Sequence, residues 1–260
     1  MEGLDFGVCR LSVVPVWENQ DGLRQVTQLL FGEHYRVLER SNDKEWLKVQ
    51  LTFDLTEGWI NVHHHHSISQ EFYEQIEASH FKIATDVVST LLYKKSPISI
   101  LMGSIVPIST SELFKMDEQF AFNGDSKPLA QKRDKEFLKT MAYRYLHAAE
   151  VRGGKNPFGI CAQGFVQMVF KICGYYLPWD TQRMSNSGKQ VKDFHSSQEG
   201  DLVFLTEIKS NNLHVGISLS DDRIIHCHGH VRVDHLMEDG IINSDTRIFT
   251  HSLAQIRRLI

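Results

Sequence analysis

The sequence lacks the features that identify several large classes of protein. Its apolar runs are too short to span a membrane, and its first residues have neither the basic region nor the apolar core of a secretory signal. The formal net charge is -4, so no excess of positive charge would attract nucleic acid or an anionic membrane. We therefore expect a cytoplasmic chain, or an exported one if a leader has been trimmed, that binds neither nucleic acid nor membrane.

Cysteine is scarce, and its spacing excludes two further classes. The chain has 4 cysteines and no Cys-x-x-Cys pair, which argues against a disulfide framework and against a cysteine-based zinc site. Cys173 falls in an apolar helical pattern, so we expect a small core residue there. The remaining composition is that of an ordinary globular protein: 260 residues, 42% hydrophobic and 23% charged, enough for two or three domains.

The first half of the sequence predicts two small β-barrels. Residues 1–66 contain short β-rich runs separated by polar turns, which is typical of a small barrel. Residues 80–128 show the pattern more weakly and predict a second barrel that ends in a boundary loop at 123–128. Between the two, four consecutive histidines at 63–66 are expected in an exposed loop or at a strand end. Neighbouring side chains of an extended segment point to opposite sides, which argues against a metal site there.

Residues 131–260 predict a separate α+β domain. Asp134 can cap a helix, and a loop rich in Gly at 153–159 leads into an apolar helix that Gly174 ends. A helical pair followed by antiparallel strands is typical of an α+β domain. The predicted strands lie at 201–205, 214–219, 223–227 and 231–234.

The helix start and two of these strands form a candidate catalytic arrangement. A cysteine hydrolase needs a thiol at a helix N-terminus, where the dipole favours an anion, and a histidine to take its proton. His214 opens one strand and His226 lies on the next, so a hairpin would place the two imidazoles side by side. On these two residues alone, structural histidines in a chain with 14 of them are the plainer interpretation.

The surrounding motifs resemble a known family. The loop and helix start look like the nucleophile loop of the NlpC/p60 cell-wall cysteine peptidases, and the later runs match that family's strands in order. The first half is similar to the bacterial SH3 domains that precede the catalytic domain in the γ-D-glutamyl-L-diamino acid endopeptidase branch. The segments that carry the resemblance are 153–160, 164–167, 200–204, 214–217, 225–226 and 231–234.

The resemblance implies a fold and an activity for each part of the chain. The fold class it implies is two small SH3-like β-barrels, at 1–66 and 80–128, followed by a papain-like α+β domain at 131–260. The implied reaction cleaves γ-D-glutamyl-diaminopimelate or γ-D-glutamyl-lysine bonds in peptidoglycan peptides and needs no cofactor. In that branch, an aspartate next to the catalytic cysteine holds the free amine of the substrate.

The residues that would carry this reaction depart from the family pattern. The family's loop reads Gly-Ile-Asp-Cys-Ser-Gly-Phe, and the same length of chain here reads Cys-Ala-Gln between Ile160 and Gly164. The resemblance therefore aligns Ala162 with the catalytic cysteine. It aligns Cys161 with the aspartate and Gln163 with the serine.

Departures upstream complete the set of candidate site residues. Glu150 and Arg152 stand where the branch commonly has tyrosine and tryptophan in Tyr-x-Trp-Gly-Gly. His214 and His226 keep the family's catalytic pattern. The positions that the resemblance assigns to ligand binding are Glu150, Arg152, Cys161 and Gln163.

Three interpretations of this pattern stay open. In the first, the fold is kept and the chemistry is lost, because alanine has no group that attacks a carbonyl. In the second, Cys161 is an alternative nucleophile beside His214 and His226. One helix position turns a side chain by roughly 100° and shifts it about 1.5 Å along the axis, so the helix start would have to rewind. In the third, the chain has a metal site made by His214, His226, His228 and His230.

We favour the first interpretation and expect a monomeric binding or regulatory protein. Its ligand would be a cell-wall peptide, a related acylated amino acid or a protein partner. Cys161 replaces a carboxylate that would pair with an amine, and Arg152 adds a cation nearby in the sequence. We therefore expect the ligand to present an anion where the substrate of the family presents an amine.

Overall fold

The computed structural model describes residues 5–78, 81–106 and 120–260, and it divides them into two compact units. The first unit contains the described residues up to Gln131 together with Arg152–Asn156. The second contains Lys132–Val151 and Pro157–Ile260. Part of the predicted second barrel, at 107–119, lies outside the described residues. In the described part of the chain, no helix is both long and apolar enough to cross a bilayer.

An antiparallel sheet forms the beginning of the first unit, in the strand order β3-β2-β6-β5-β4-β1-β7. Its pleat separates core from surface, since Leu47, Val49 and Leu51 on β5 are buried while the residues between them are half-buried. The strands are β1 Asp5–Val8, β2 Val13–Trp17, β3 Gln25–Leu30, β4 His34–Arg40, β5 Trp46–Leu51, β6 Glu57–Asn61 and β7 Ser67–Ile68.

Two smaller sheets, ordered β10-β9-β12 and β11-β8-β13, follow helix α1 (Gln70–Ala78). Their core contains Leu91, Ile100 and Val106, and Phe31, from the turn between β3 and β4, packs among them. The boundary loop predicted at 123–128 is wrong in part, because its second half forms β13 and pairs with β8. The strands are β8 Lys82–Ala84, β9 Val88–Tyr93, β10 Ser96–Leu101, β11 Ile105–Val106, β12 Phe120–Asn123 and β13 Ser126–Pro128.

The histidine run at 63–66 is less exposed than the sequence predicts. It begins within a short 3-10 turn, Val62–His64, and only its first residue, His63, is exposed. The side chain of His65 is 9% exposed, and its Nδ1 lies 3.1 Å from the hydroxyl of Tyr35. Contact with this buried tyrosine explains why the run does not project into solvent.

A buried ion pair lies in the first unit. Lys155 Nζ lies 3.0 Å from Glu33 Oε1, and their side chains are 0% and 5% exposed. The other carboxylate oxygen of Glu33 accepts a hydrogen bond from the amide of Leu30. The amide of Lys155 donates in turn to Gln28 Oε1, over 3.0 Å. These contacts attach the segment Arg152–Asn156 to β3.

The second unit consists of helices beside a closed antiparallel barrel. The barrel strands follow the order β22-β17-β18-β19-β20-β21, and β21 pairs again with β22. The elements are α2 Lys135–Tyr143, β15 Gly159–Ile160, α3 Ala162–Ile172, α4 Thr181–Met184, β16 Lys189–Val191, β17 Leu202–Glu207, β18 Leu213–Leu219, β19 Arg223–His228, β20 His230–Met237, β21 Gly240–Ile242 and β22 Phe249–Arg258; β14, Lys155–Asn156, belongs to the first unit.

Helix α3 is the buried element of this unit. Every residue from Gly164 to Ile172 is buried, as expected for a helix that is apolar around most of its circumference. The helix packs against α2, β18 and β19. Gly174 follows it with a φ of 83°, and the amide of Tyr175 bonds back to Phe170, so the predicted helix end is confirmed. The predicted cap of α2 is also confirmed, because Asp134 accepts from the amide of Phe137.

Replacing Lys155 with methionine should lower the free energy of unfolding by about 3–5 kcal/mol, because it removes the buried cation that lies 3.0 Å from the buried carboxylate of Glu33. Urea unfolding measures the change. The matched control is the double variant Lys155→Met/Glu33→Gln. It also neutralises position 33, while the amide oxygen can still accept from Leu30, so most of the stability should return. A single variant as stable as the unmodified protein would contradict this account of the pair.

Candidate active site

The start of α3 carries Ala162, the residue that the family resemblance aligns with the catalytic cysteine. Cys161 is the N-cap residue, with an extended backbone (φ −100°, ψ 169°), and its carbonyl accepts the first helical hydrogen bond from Phe165. Ala162 is the first helical residue and is half-buried, whereas Cys161 is only 6% exposed. The position aligned with the catalytic cysteine therefore presents a methyl group at the helix N-terminus.

The hairpin of β18 and β19 brings His214 and His226 together. The strands pair with Gly216 opposite His226, and His214 lies two residues away on the same face. His214 Nε2 lies 2.9 Å from His226 Nδ1, and the two rings are nearly perpendicular. The structure thus places the two predicted histidines in direct hydrogen-bond contact.

A third member, Asp234 on β20, was quoted in the family motif but given no role by the sequence analysis. Its Oδ2 lies 3.0 Å from His226 Nε2 and accepts from Arg232 Nε over 2.9 Å, while its Oδ1 accepts from the amide of Ser244. Burial opposes ionisation, but the hydrogen bonds from His226, Ser244 and Arg232 hold the pKa of Asp234 well below its usual range. The carboxylate is therefore ionised at neutral pH.

An ionised Asp234 fixes the tautomers of both histidines. A carboxylate only accepts hydrogen bonds, so neutral His226 must carry its proton on Nε2, and its Nδ1 must accept. His214 Nε2 then donates to that nitrogen, which leaves the lone pair of neutral His214 on Nδ1. Among the residues that the structure describes, nothing hydrogen-bonds to His214 Nδ1. This nitrogen can act as a base.

Two further imidazoles surround this pair, and the sequence analysis missed one of them. The ring of His251, on β22, lies 4.4 Å from that of His214, and the ring of His228 lies 4.9 Å from that of His251. Burial, reinforced by repulsion from the neighbouring imidazoles, lowers the pKa of His251 to about 4 and that of His214 well below its usual value. Burial also lowers the pKa of His226, although Asp234 opposes this shift.

The predicted four-histidine metal site is wrong. It required β19 to continue through Gly229, but that residue turns the chain with a φ of 74° between β19 and β20. His230 consequently stacks near His147, 6.1 Å between ring centres, and not with His226 and His228. Within residues 5–78, 81–106 and 120–260, no group of three or more histidine, cysteine or acidic side chains has the arrangement of a metal site.

The positions assigned to ligand binding have different surroundings. The carboxylate of Glu150 accepts from the amide of Gly229 over 2.6 Å, so it braces the turn between β19 and β20. The carbonyl of Arg152 accepts from Gln25 Nε2 over 2.9 Å within the first unit. Gln163 is half-buried in the first turn of α3. Of this set, Cys161 and Gln163 flank Ala162 directly.

The lowered histidine pKa values predict that acid destabilises the fold. A histidine whose pKa is lower in the folded state than in the unfolded state stabilises the fold. Its contribution is complete only at pH values above the pKa of the unfolded state. This contribution is lost as the pH falls from about 6.5 towards the folded value. For His251 alone the loss should approach roughly 3 kcal/mol by about pH 4. Urea unfolding across this pH range measures it.

Two variants separate this effect from general acid denaturation. His251→Leu should flatten the decline of the unfolding free energy with falling pH. His195→Gln removes a histidine whose side chain is 76% exposed, and it should leave the decline unchanged. An unfolding free energy that is constant between about pH 6.5 and pH 4 would contradict the lowered pKa values.

Family models match both parts of the chain. The model described as NlpC/P60 family matches residues 151–250, and the one described as bacterial dipeptidyl-peptidase Sh3 domain matches residues 19–64. Among curated proteins, the gamma-D-glutamyl-L-lysine dipeptidyl-peptidase of Bacillus subtilis (strain 168) is 26% identical over 220 residues, which cover 77% of this chain and 71% of that protein. A probable endopeptidase of Haemophilus influenzae is 33% identical over 91 residues, 34% of this chain and 56% of that protein.

Solved structures show the same fold. An NlpC/P60 family protein from Bacillus cereus ATCC 10987 superposes with a TM-score of 0.79 at 18% identity, covering 97% of this chain and 99% of that one. An NlpC/P60 endopeptidase from Photobacterium damselae subsp. piscicida gives 0.70 at 13% identity, covering 96% and 70%. The predicted fold class is confirmed. The family-model matches show that the chain contains an NlpC/P60 domain preceded by a bacterial SH3 domain.

Proposed function

We propose that this chain is a catalytically degenerate homologue of the peptidoglycan-peptide endopeptidases that acts as a ligand-binding or regulatory protein. The observation that carries the proposal is Ala162 at the first position of α3. Covalent catalysis needs a nucleophile beside the base, and a methyl group can neither attack a carbonyl nor form an acyl-enzyme. Losing the nucleophile removes the covalent pathway even when the other catalytic groups stay in place.

The groups that do not form bonds to substrate are retained. His214 is held by His226, which Asp234 orients in turn, and α3 still presents backbone N–H groups at its start. Such groups can hold a peptide amide without cleaving it, because the helix start attracts the carbonyl oxygen and a neutral imidazole accepts an N–H. The proposed ligand is an intact cell-wall peptide or a related acylated amino acid.

The alternative function is cell-wall peptide hydrolysis through Cys161, with His214 and His226. It has the right chemistry, since a thiol stands next to the expected position. However, Cys161 is the N-cap residue and is buried, whereas the family's nucleophile aligns with the half-buried first helical residue. Cys161 is extended and precedes the helix, so α3 does not place its thiol as it would place a side chain at position 162.

Peptide hydrolysis decides between the two functions. The unmodified protein and Cys161→Ser are each incubated with L-Ala-γ-D-Glu-diaminopimelate and with L-Ala-γ-D-Glu-L-Lys, and products are identified by mass spectrometry. We expect no cleavage by either protein, together with a thermal shift when the intact peptides bind. Cleavage that disappears in Cys161→Ser would overturn the proposal and establish Cys161 as the nucleophile.

Restoring a thiol at the helix start tests whether the base is still functional. In a Cys161→Ser background, Ala162→Cys should react with iodoacetamide at least about tenfold faster than Cys161 does in the unmodified protein. The helix N-terminus and His214 both favour the thiolate there. Alkylation rates at each cysteine are followed by mass spectrometry. Adding His214→Leu should lower the alkylation rate of the new thiol and leave the rates of Cys9 and Cys173 unchanged. Equal alkylation rates of the new thiol with and without His214 would argue against a functional base.

The loss of the aspartate at Cys161 predicts a changed ligand terminus. Without that carboxylate, a free α-amine loses its ion pair, so N-acetylated L-Ala-γ-D-Glu-L-Lys should bind at least as tightly as the free peptide. Isothermal titration of both peptides measures the difference. Clearly tighter binding of the free amine would show that another group has taken over the role of the aspartate.

A further inference from the structure

His251 places a buried polar atom beside the proposed base. The residue is 0% exposed, and its ring lies 4.4 Å from that of His214, tilted by 38°. Its Nε2 has no hydrogen-bond partner among the residues that the structure describes. Since buried polar atoms are nearly always partnered, this nitrogen calls for an explanation.

The contacts of Thr250 decide which nitrogen of His251 carries the proton. The hydroxyl lies 2.9 Å from His251 Nδ1 and 3.4 Å from the carbonyl of Ile241. A hydroxyl has one proton to donate, and a carbonyl can only accept. Both contacts are satisfied together if the hydroxyl donates to Ile241 and accepts from an Nδ1–H of His251. The unpartnered Nε2 is then an unprotonated acceptor.

Two acceptor lone pairs are therefore found in adjacent rings, on His214 Nδ1 and His251 Nε2. We propose that these two nitrogens form a binding position for an N–H donor of the ligand, either an ammonium group or an amide. A group with two or more N–H protons can donate to both nitrogens together, and each hydrogen bond satisfies an acceptor that otherwise lacks a partner among the described residues. Neither nitrogen can be satisfied by the other, because both are acceptors.

The charges around the position allow a neutral or a cationic donor. Glu207 on β17 lies 3.4 Å from His228, and Asp234 on β20 contacts His226, so two carboxylates approach the cluster. Arg232 is hydrogen-bonded to Asp234 and also pairs with Asp245, which offsets part of that negative charge. Both kinds of donor present an N–H group, and the experiment distinguishes an ammonium group from an amide.

This position adds a contact to the proposed function. It rests on that function only for the identity of the natural ligand, which would be a peptide that brings an N–H group to the two nitrogens. The hydrogen-bond argument itself uses the histidines and Thr250 alone. Small probes therefore test it separately: a protein that binds no cell-wall peptide can still show the site, and a peptide-binding protein can fail to show it.

Nitrogen NMR of the histidine-labelled, unmodified protein gives the direct test. Imidazole ¹⁵N shifts distinguish a protonated nitrogen, a bare acceptor and a hydrogen-bonded acceptor. Above the pH range in which the cluster titrates, the free protein should show His251 protonated on Nδ1. Methylammonium and acetamide represent the cationic and neutral donors. Tetramethylammonium and N,N-dimethylacetamide are matched controls that lack an N–H.

We expect at least one N–H probe to move His251 Nε2 and His214 Nδ1 together towards the hydrogen-bonded position, while the controls move neither. A response to methylammonium alone identifies an ammonium site, and a response to acetamide identifies an amide site. The proposal is overturned if Nε2 is protonated in the free protein, if the controls act like the N–H probes, or if no probe shifts either nitrogen because water already occupies the site.

Two variants test whether both nitrogens contribute. His251→Leu removes one acceptor and should weaken the response of His214 to the effective probe by about tenfold. His228→Leu is the matched control, since it removes a ring of the same cluster whose Nε2 already faces Glu207, and probe affinity should stay within about twofold. Equal losses in the two variants would indicate a packing effect and contradict the proposal. The measurements on the unmodified protein decide the matter if His251→Leu does not fold.

Discussion

One buried carboxylate determines which atoms donate and which accept in the hydrogen bonds of the candidate site. Asp234 stays ionised because Arg232, the Ser244 amide and His226 all donate to it. Each consequence follows from donor and acceptor rules: His226 is protonated on Nε2, His214 donates from Nε2, and the free lone pair of His214 lies on Nδ1. An amide in place of Asp234 could donate or accept, and the tautomers would no longer be determined. Asp234 therefore determines which nitrogen of His214 has the free lone pair, although the sequence pattern points only to His214 and His226.

The proton-accepting groups and the position aligned with the nucleophile lie on different elements of the domain. The proton-accepting groups lie on strands of the barrel, and the nucleophile position lies on α3, which packs against two of those strands. Changing one side chain on the helix leaves the strand registers unchanged. The hydrogen bonds that join His214 to His226 and His226 to Asp234 therefore also stay in place. Ala162 therefore leaves His214 positioned as a base with no thiol at the expected place. An acceptor so positioned favours a ligand that offers a donor.

The sequence predicted the elements whose signals are local. The apolar periodicity of α3, its end at Gly174 and the β18–β19 hairpin follow from residues within one element or between neighbours. His251 could not be found in this way. It lies on β22, which reaches the cluster because the barrel closes by pairing β22 with both β17 and β21. Similarly, alternation predicted His226, His228 and His230 on one side of a continuous strand. The left-handed Gly229 instead reverses the chain, so that His230 pairs across the turn with His228 while its ring lies near that of His147.

The imidazole cluster is difficult to explain as a device for folding. Burial disfavours the protonated form of His214 and His251, so both residues make the fold sensitive to acid, and His251 also leaves a buried nitrogen without a partner. Apolar side chains of similar size would pack the same space without either cost. Groups that lower stability are typical of sites that contact ligands, where function and stability compete. The imidazole cluster therefore supports the proposed ligand-binding function, even though Ala162 stands at the position aligned with the nucleophile.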